Sequence, residues 1–584
     1  MKTIYYLLFL ITLNSQASQI DLSKDETLQQ HQLKNKGTAN FITVGSDANC
    51  DYNNLQTALN TANIELRLAT NMTFSSAVIS NQVTINGGFN NCTDALNGIY
   101  GLDKSFIDAG GVNFGVHIVA QNITVKLNNL IIQNGSKGVF VDETGVELFI
   151  NDSIIQNNQL TSGIFGSSGL DIQLQGTTFL ENVLIRNNDT HSYGGGISCK
   201  FQTVMIFGNS SIEYNSAFNK GGGIFAQFCN LTIVGGDISS TGINNNSAIA
   251  TKGAGLYLEQ SYAYITGGKY SFNSINYGDL SQAYKINNNM GTLSNSHGAG
   301  IYADLSTVEL INIQMIGNHT AASGGAIYAA NNSQILVSRS IEPCWSSLGC
   351  NLFDGNLADN AGGVFMINSG SDANIQSSRI INNRAAIAVV LNAGSNTTDV
   401  KIESSFISEN GTNGASPYSD ETLLRVNGAQ VTIAQSSVIN NFSVNSVIDF
   451  ISGTLDLENS IIYNPLMSAP YYSQSGSAAS TDLCLFVDDA NNSSTSQVTA
   501  IDSNEFDLGF VDAHNGDYHL TSNSFAIDAC GELTPMTLID IDGESFAYDQ
   551  ELINGIDPNM ANDAGADEIT VNIDIIFKNG FEAN

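Results

Sequence analysis

Proline is nearly absent, with 6 in 584 residues. So little of it suits a chain that commits almost every backbone N–H to a sheet. Positive charge is scarce as well: 20 Lys+Arg stand against 55 Asp+Glu, a formal net charge of −35. That balance excludes nucleic acid as a default partner, because phosphate binding needs clustered cations. It disfavours an anionic lipid surface for the same reason. Charged residues are only 13% of the chain and hydrophobic ones 42%, which excludes wholesale disorder. Beyond the N-terminus no run approaches the ~20 apolar residues of a membrane-spanning helix. Histidine is scattered and the 8 Cys include no C-x-x-C, so a zinc site lacks its usual spacing. A single compact domain of this length is unusual, which leaves several domains or one elongated repeat.

The N-terminus does carry an address. Met1-Lys2-Thr3, the apolar run Tyr5 to Leu13 and the small residues Ser15 and Ala17 describe a secretory signal peptide, residues 1–17. The apolar run is too short to span a bilayer. Residues 18–40 are polar and read as a linker. Export places the cysteines in an oxidising compartment. Their grouping predicts four disulfides, Cys50–Cys92, Cys199–Cys229, Cys344–Cys350 and Cys484–Cys530.

Between about residues 180 and 370 one phrase returns: IRNNDTHSYGGGIS, IEYNSAFNKGGGIF, INNNSAIATKGAGLY, IGNHTAASGGAIY, FDGNLADNAGGVF. Asn188 precedes Gly194 by six residues, and Asn215, Asn318 and Asn356 stand in the same relation to Gly221, Gly324 and Gly362. A constant phrase with variable spacing between repeats is the mark of a solenoid. After the glycines, Ile224, Leu256, Ile301 and Ile327 share a parity with Ala226, Leu258, Ala303 and Ala329, and period two turns this set inward. Phe225, Tyr257, Tyr302 and Tyr328 then point outward. Asn at one place per turn can bond the same residue a coil away, and glycines supply turns with φ > 0. These features predict an all-β chain wound as a parallel β-helix. Later phrases (SSRIINNRA, SSFISENG, SSVINNFS, NSIIYN) keep the strand and the Asn but lose the glycines. At about 4.8 Å per coil, roughly 16 coils would make a rod near 75 Å long.

The FDGN and GGAIY elements resemble the repeats of polymorphic outer-membrane-protein passengers, which implies a right-handed, pectin-lyase-like β-helix. Residues 41–110 read as the N-terminal cap and first coils, 111–530 as the β-helix, and 531–584 as a C-terminal segment. A helix over Leu55–Ala62, with Leu55, Ala58, Leu59 and Ala62 on one face, is expected to plug the end of the rod. Residues 506–530, FDLGFVDAHNGDYHLTSNSFAIDAC, resemble the closing segment of bacterial choice-of-anchor Q β-helix proteins. Cys530 and Phe546 depart from that pattern. The tail IFKNGFEAN is similar to the IFxxGFE ending of other exported proteins.

Pectin-lyase-like folds often carry polysaccharide lyases and hydrolases, so that activity is the alternative to a non-catalytic surface protein. A lyase needs a strong base beside carboxylates, and a hydrolase needs acids clustered on neighbouring coils. Arginine occurs only at Arg67, Arg186, Arg339, Arg379, Arg384 and Arg425, and the acids Asp488-Asp489 sit in a Ser/Asn-rich stretch. The NTD, GHG and RIK elements of galacturonases are absent, and His297 in SHGAG occupies the slot before a repeat glycine. No catalytic residue and no cofactor is therefore expected. Asp540 and Asp542, with Asp563, Asp567 and Glu568, could hold Ca²⁺ or form a solvated acidic surface. The outward row Phe225, Tyr257, Tyr302, Tyr328 and Phe365 could bind a glycan or a surface protein, or stack on itself and stiffen the rod. The expected function is an exported surface or extracellular protein for adhesion or contact with a partner or glycan.

Overall fold

The computed structural model describes residues 41–566, apart from interior stretches of which the longest are 340–349, 489–497, 531–539 and 542–562. The repeated phrase winds into a parallel β-helix. One coil supplies the strands Ile224–Gln227, Asn230–Val234 and Gly242–Asn244, and the next supplies Leu256–Glu259, Tyr262–Thr266 and Tyr284–Asn287. Equivalent strands pair in parallel, Ile224 with Leu256, Leu231 with Ala263 and Ile243 with Ile286. The coils thus present three faces, named first, second and third in chain order. Two-residue rungs such as Ser216–Ala217 and Ser247–Ala248 form a narrow fourth sheet between the third face and the next first one.

Alternation buries the predicted set. Ile224, Leu256, Ile301 and Ile327 stack with Ala226, Leu258, Ala303 and Ala329 at zero exposure. The core is continuous from Val44 to Val487. Short strands need tight corners, and left-handed residues make them: Asn157, Asn187, Asn245, Asn288 and Asn382 have φ between 52° and 57°, a region that Asn enters more easily than most residues. Gly221 turns at φ 66°. Gly223 serves closeness instead, since a Cβ there would lie 2.6 Å from the Gly255 carbonyl oxygen on the next coil.

The asparagines form the predicted ladder. Asn188 Nδ2 donates to Asn215 Oδ1 at 3.0 Å, Asn215 to Asn246 at 3.2 Å, and the line continues through Asn289, Asn318, Asn356, Asn383, Asn410 and Asn441. Each Oδ1 also accepts the backbone N–H of the preceding ladder residue, as Asn318 does from Asn289 at 3.1 Å. The asparagine-to-asparagine bonds therefore all run toward the C-terminal end of the rod, while the second Nδ2 hydrogen bonds a carbonyl of the preceding coil, as Asn318 does to Ile286 at 2.7 Å. Serines line other corners in the same way, Ser261 N–H to Ser306 Oγ and Ser306 N–H to Ser333 Oγ, both 3.1 Å.

Three of the four disulfides join described cysteines: Cys50–Cys92, Cys199–Cys229 and Cys484–Cys530. Cys350 is buried and disulfide-bonded, while Cys344 lies outside the described residues. The first helix, α1, spans Leu55–Leu59 and turns Leu55, Ala58 and Leu59 into the core. It is shorter than expected, and Ala62 lies outside the described residues. A second helix, α2 (Cys92–Asn97), was not anticipated; Asn91 caps it through Oδ1 to the Asp94 N–H.

Near the C-terminus the chain stops adding coils. Phe510–Asp512 and Asp517–Leu520 form an antiparallel pair. Leu508, Tyr518, Leu520, Ile527, Ile541 and Ala564 pack over outward-facing Phe406, Ile439 and Ile461 of the third face. Gly565 N–H donates to the Asn459 carbonyl and Ala566 N–H to Ser437 Oγ. The late coils carry apolar residues outward because this segment covers them.

Candidate functional site

The middle residue of each first-face strand points away from the core, and these residues fall in one row. In it Phe225, Tyr257, Tyr302 and Tyr328 stack coil upon coil, with ring centres 5.6, 5.2 and 4.9 Å apart and planes within 10°. The expected direction holds, but the expected exposure does not. Phe225, Tyr257 and Tyr302 are 3%, 0% and 2% exposed, and only Tyr328 is half-buried.

The cover comes from the residue just before each turn glycine, which reaches over the ring of the following coil. Tyr193, before Gly194, stacks on Phe225 at 4.9 Å. Lys220, before Gly221, places Nζ 4.2 Å from the Tyr257 ring centre and donates to Tyr257 Oη at 2.7 Å. Lys252, before Gly253, does the same to Tyr302 at 4.4 and 2.7 Å. His297, before Gly298, lies 4.7 Å from Tyr328. A cation over a ring face is attracted by the quadrupole, so this is a sealed, cation-capped stack. The signal was present in the sequence as Tyr, Lys, Lys and His at one fixed slot, but it shows only once the one-coil offset is known.

Phe365 is a correction to the row. It pairs with Ile327, not Tyr328, and packs inside against Phe353 at zero exposure. Met366 takes the outward slot opposite Tyr328. GGVF carries one residue fewer between its glycines and its aromatic than the GGAIY phrase does, and a shift of one residue changes the face.

Enclosure changes the titration of the stack. Burial, then Glu259, pushes the Tyr257 phenol far above its usual range, and burial, then Tyr328 and Asp304, does so for Tyr302. Burial lowers Lys252, against the pull of Asp304, and burial, then Lys252, lowers His297. A phenol raised on folding contributes stability that is complete below its unfolded value of about 10 and is lost as pH rises beyond it. We therefore expect alkaline unfolding above about pH 10. A phenolate absorbance titration followed with far-UV dichroism should show Tyr257 and Tyr302 ionising only as the sheet signal collapses. Titration of all 20 tyrosines near their ordinary value with the sheet intact would contradict this.

Five of the six arginines are engaged, while Arg379 Nε is buried without a hydrogen-bond partner among the described residues. Arg67 Nε lies 2.7 Å from Glu65 Oε1, Arg384 Nε bridges both oxygens of Asp420 at 2.9 and 3.0 Å, and Arg425 Nε is 2.9 Å from Asp449. Arg186 donates to Gln156, and Arg339 to the carbonyls of Asp540 and Ile541. Asp540 and Asp563, within the C-terminal segment, are buried, so neither belongs to a solvated acidic surface. Asp542, Asp567, Glu568 and Asp489 lie outside the described residues. Asp47, Cys50 and Cys92 come together as a metal-like trio, but the two thiols are joined and Asp47 accepts the Cys92 N–H at 3.0 Å.

One exposed aromatic feature escaped the sequence reading. Phe201 and Phe228 follow the first-face strands and stack at 4.9 Å with planes 5° apart. Phe201 is 47% exposed and Phe228 half-buried. Both are left-handed, φ 54° and 56°, at a corner where Asn331 stands on a later coil. A bulky residue there is strained. The Cys199–Cys229 disulfide joins the same two coils directly beside the pair. The preceding coil adds Leu174 to the corner, 38% exposed, and Leu305, 46% exposed, stands two coils beyond Phe228. Among the described residues no helix is long and apolar enough to cross a membrane. No protein-family model matches the chain, and no curated protein is significantly similar to it.

Proposed function

We propose that this chain is an exported, non-catalytic β-helix that acts at a cell surface or outside the cell, where one corner of its rod contacts a glycan or a surface protein. The observation that carries this is the pair of exposed Phe201 and half-buried Phe228, strained and braced by a disulfide. Strain held at an exposed site is a pointer to function, and exposed apolar patches mark contact surfaces. The signal-peptide pattern and the likeness of residues 506–530 to choice-of-anchor Q proteins support export. The disulfides agree with an oxidising compartment.

The test is a glycan and extracellular-matrix array probed with the wild type and with Phe201→Asn/Phe228→Asn. The double variant relaxes two left-handed corners and should gain about 1 kcal/mol of stability or more, while its retention on the bound ligand falls at least tenfold. Loss of stability, or unchanged retention, would refute the assignment. Incubation with uronate polymers tests the enzymatic alternative. Unsaturated products or new reducing ends would replace this reading.

A further inference from the structure

The first-face row holds another arrangement nearer its N-terminal end. Lys137 and Asp171 lie on adjacent coils, and the side chains of both have no solvent exposure. Lys137 Nζ donates to Asp171 Oδ2 and rests 3.8 Å from the ring centre of Phe140, the register partner of Asp171. Gln173 Nε2 donates to the same Oδ2 at 2.9 Å. Among the described residues Asp171 Oδ1 has no hydrogen-bond partner, and neither does the buried Ser198 Oγ one coil further on. Gly166 roofs the carboxylate so closely that a Cβ there would lie 2.1 Å from Oδ2.

As an ion pair the site is poorly supplied. The ammonium has three protons and, among the described residues, one acceptor. The carboxylate leaves an oxygen bare. A buried pair offsets its desolvation only when the remaining protons and lone pairs are also satisfied.

We propose that Lys137 and Asp171 become joined by an amide bond from Nζ to Cγ, a covalent cross-link between neighbouring coils. Proton transfer within the pair gives an amine and a carboxylic acid, the uncharged forms that a dry site favours. Burial already holds the Asp171 carboxyl above its ordinary range. Nζ attacks Cγ, the Cγ–Oδ1 bond breaks, and Oδ1 departs as water with two of the three original ammonium protons. No oxidant, reductant or cofactor enters. The product removes both buried charges, keeps one N–H beside the Phe140 ring, and leaves Oδ2 as the carbonyl that accepts from Gln173. The cross-link is independent of what the rod contacts.

The full-length protein, reduced and denatured, is examined by intact mass and tryptic mapping. The expected mass is one water short of the sequence. Residues 127–186 are recovered as one peptide, one water light and uncut after Lys137, because trypsin does not cleave at an acylated lysine. Lys137→Arg, which retains the cation, and Lys137→Met should both restore the full mass. Full wild-type mass with 127–137 and 138–186 recovered separately overturns the proposal, whether or not either variant folds. A lost water with normal cleavage after Lys137 also overturns it, because a succinimide gives that pattern.

Discussion

Asn318→Ala should destabilise the rod by about 3–5 kcal/mol, among the largest effects of any single substitution. The side chain is fully buried, and its amide donates to the Ile286 carbonyl at 2.7 Å and to Asn356 Oδ1 at 2.9 Å. Its oxygen accepts both the N–H and the Nδ2 of Asn289, at 3.1 and 2.9 Å. Alanine leaves two donors and one carbonyl without partners in a dry interior, and each orphaned group costs roughly 1–3 kcal/mol. Asn318→Asp should fare no better, because a carboxylate supplies no donor and brings buried charge. In a solenoid each coil touches mainly its neighbours. The effect should therefore appear as faster amide exchange in Tyr284–Asn287, Ile313–Ile316 and Asn351–Asp354, along with a lower denaturation midpoint. A midpoint shift below about 1 kcal/mol would show that the ladder is incidental to stability.

Tyr257→Ala should cost about 3–5 kcal/mol, the range for removing a large buried aromatic side chain. It interrupts the stack between Phe225 and Tyr302 and takes both the ring and the hydroxyl away from Lys220 Nζ. Tyr257→Phe keeps the stack and loses only the hydroxyl, so it should cost about 1 kcal/mol. The gap between the two separates stacking from hydrogen bonding. Equal losses would mean that the phenol's polar contacts, not its ring, matter. An exposed binding row would instead have lost ligand with its stability unchanged, an outcome that near-zero exposure at Tyr257 argues against.

What could be read in advance followed from strict repetition. Period two separated Ile224 from Phe225, and the fixed six-residue step from Asn to Gly marked a ladder position before any coil was drawn. Three cysteine pairs followed from local grouping on adjacent turns. The features that stayed hidden depend on how one coil leans on the next. Burial of Tyr257 and Tyr302 comes from lysines a full turn earlier in the chain, a relation that parity along one strand cannot express. Phe365 follows its glycines one residue sooner than Tyr328 does in GGAIY, and that one residue is enough to turn it inward. The Phe201 and Phe228 pair gave no warning either, because corner slots usually take Asn or Gly and nothing in local propensity selects phenylalanine there. Phe406, Ile439 and Ile461 pattern like core residues, and only the returning C-terminal segment explains why they face outward.

The single orientation of the asparagine line has a consequence for assembly. Each finished turn presents two hydrogens of its asparagine, the backbone N–H and one on Nδ2, that wait for the Oδ1 of the turn after it, and a carbonyl, such as that of Ile286, that waits for the same incoming residue's Nδ2. A chain delivered amino end first meets that need in order, each arriving segment quenching the edge and renewing it one step further along. Each incoming asparagine thus works as a three-point latch, accepting two hydrogens from the edge before it and giving one back.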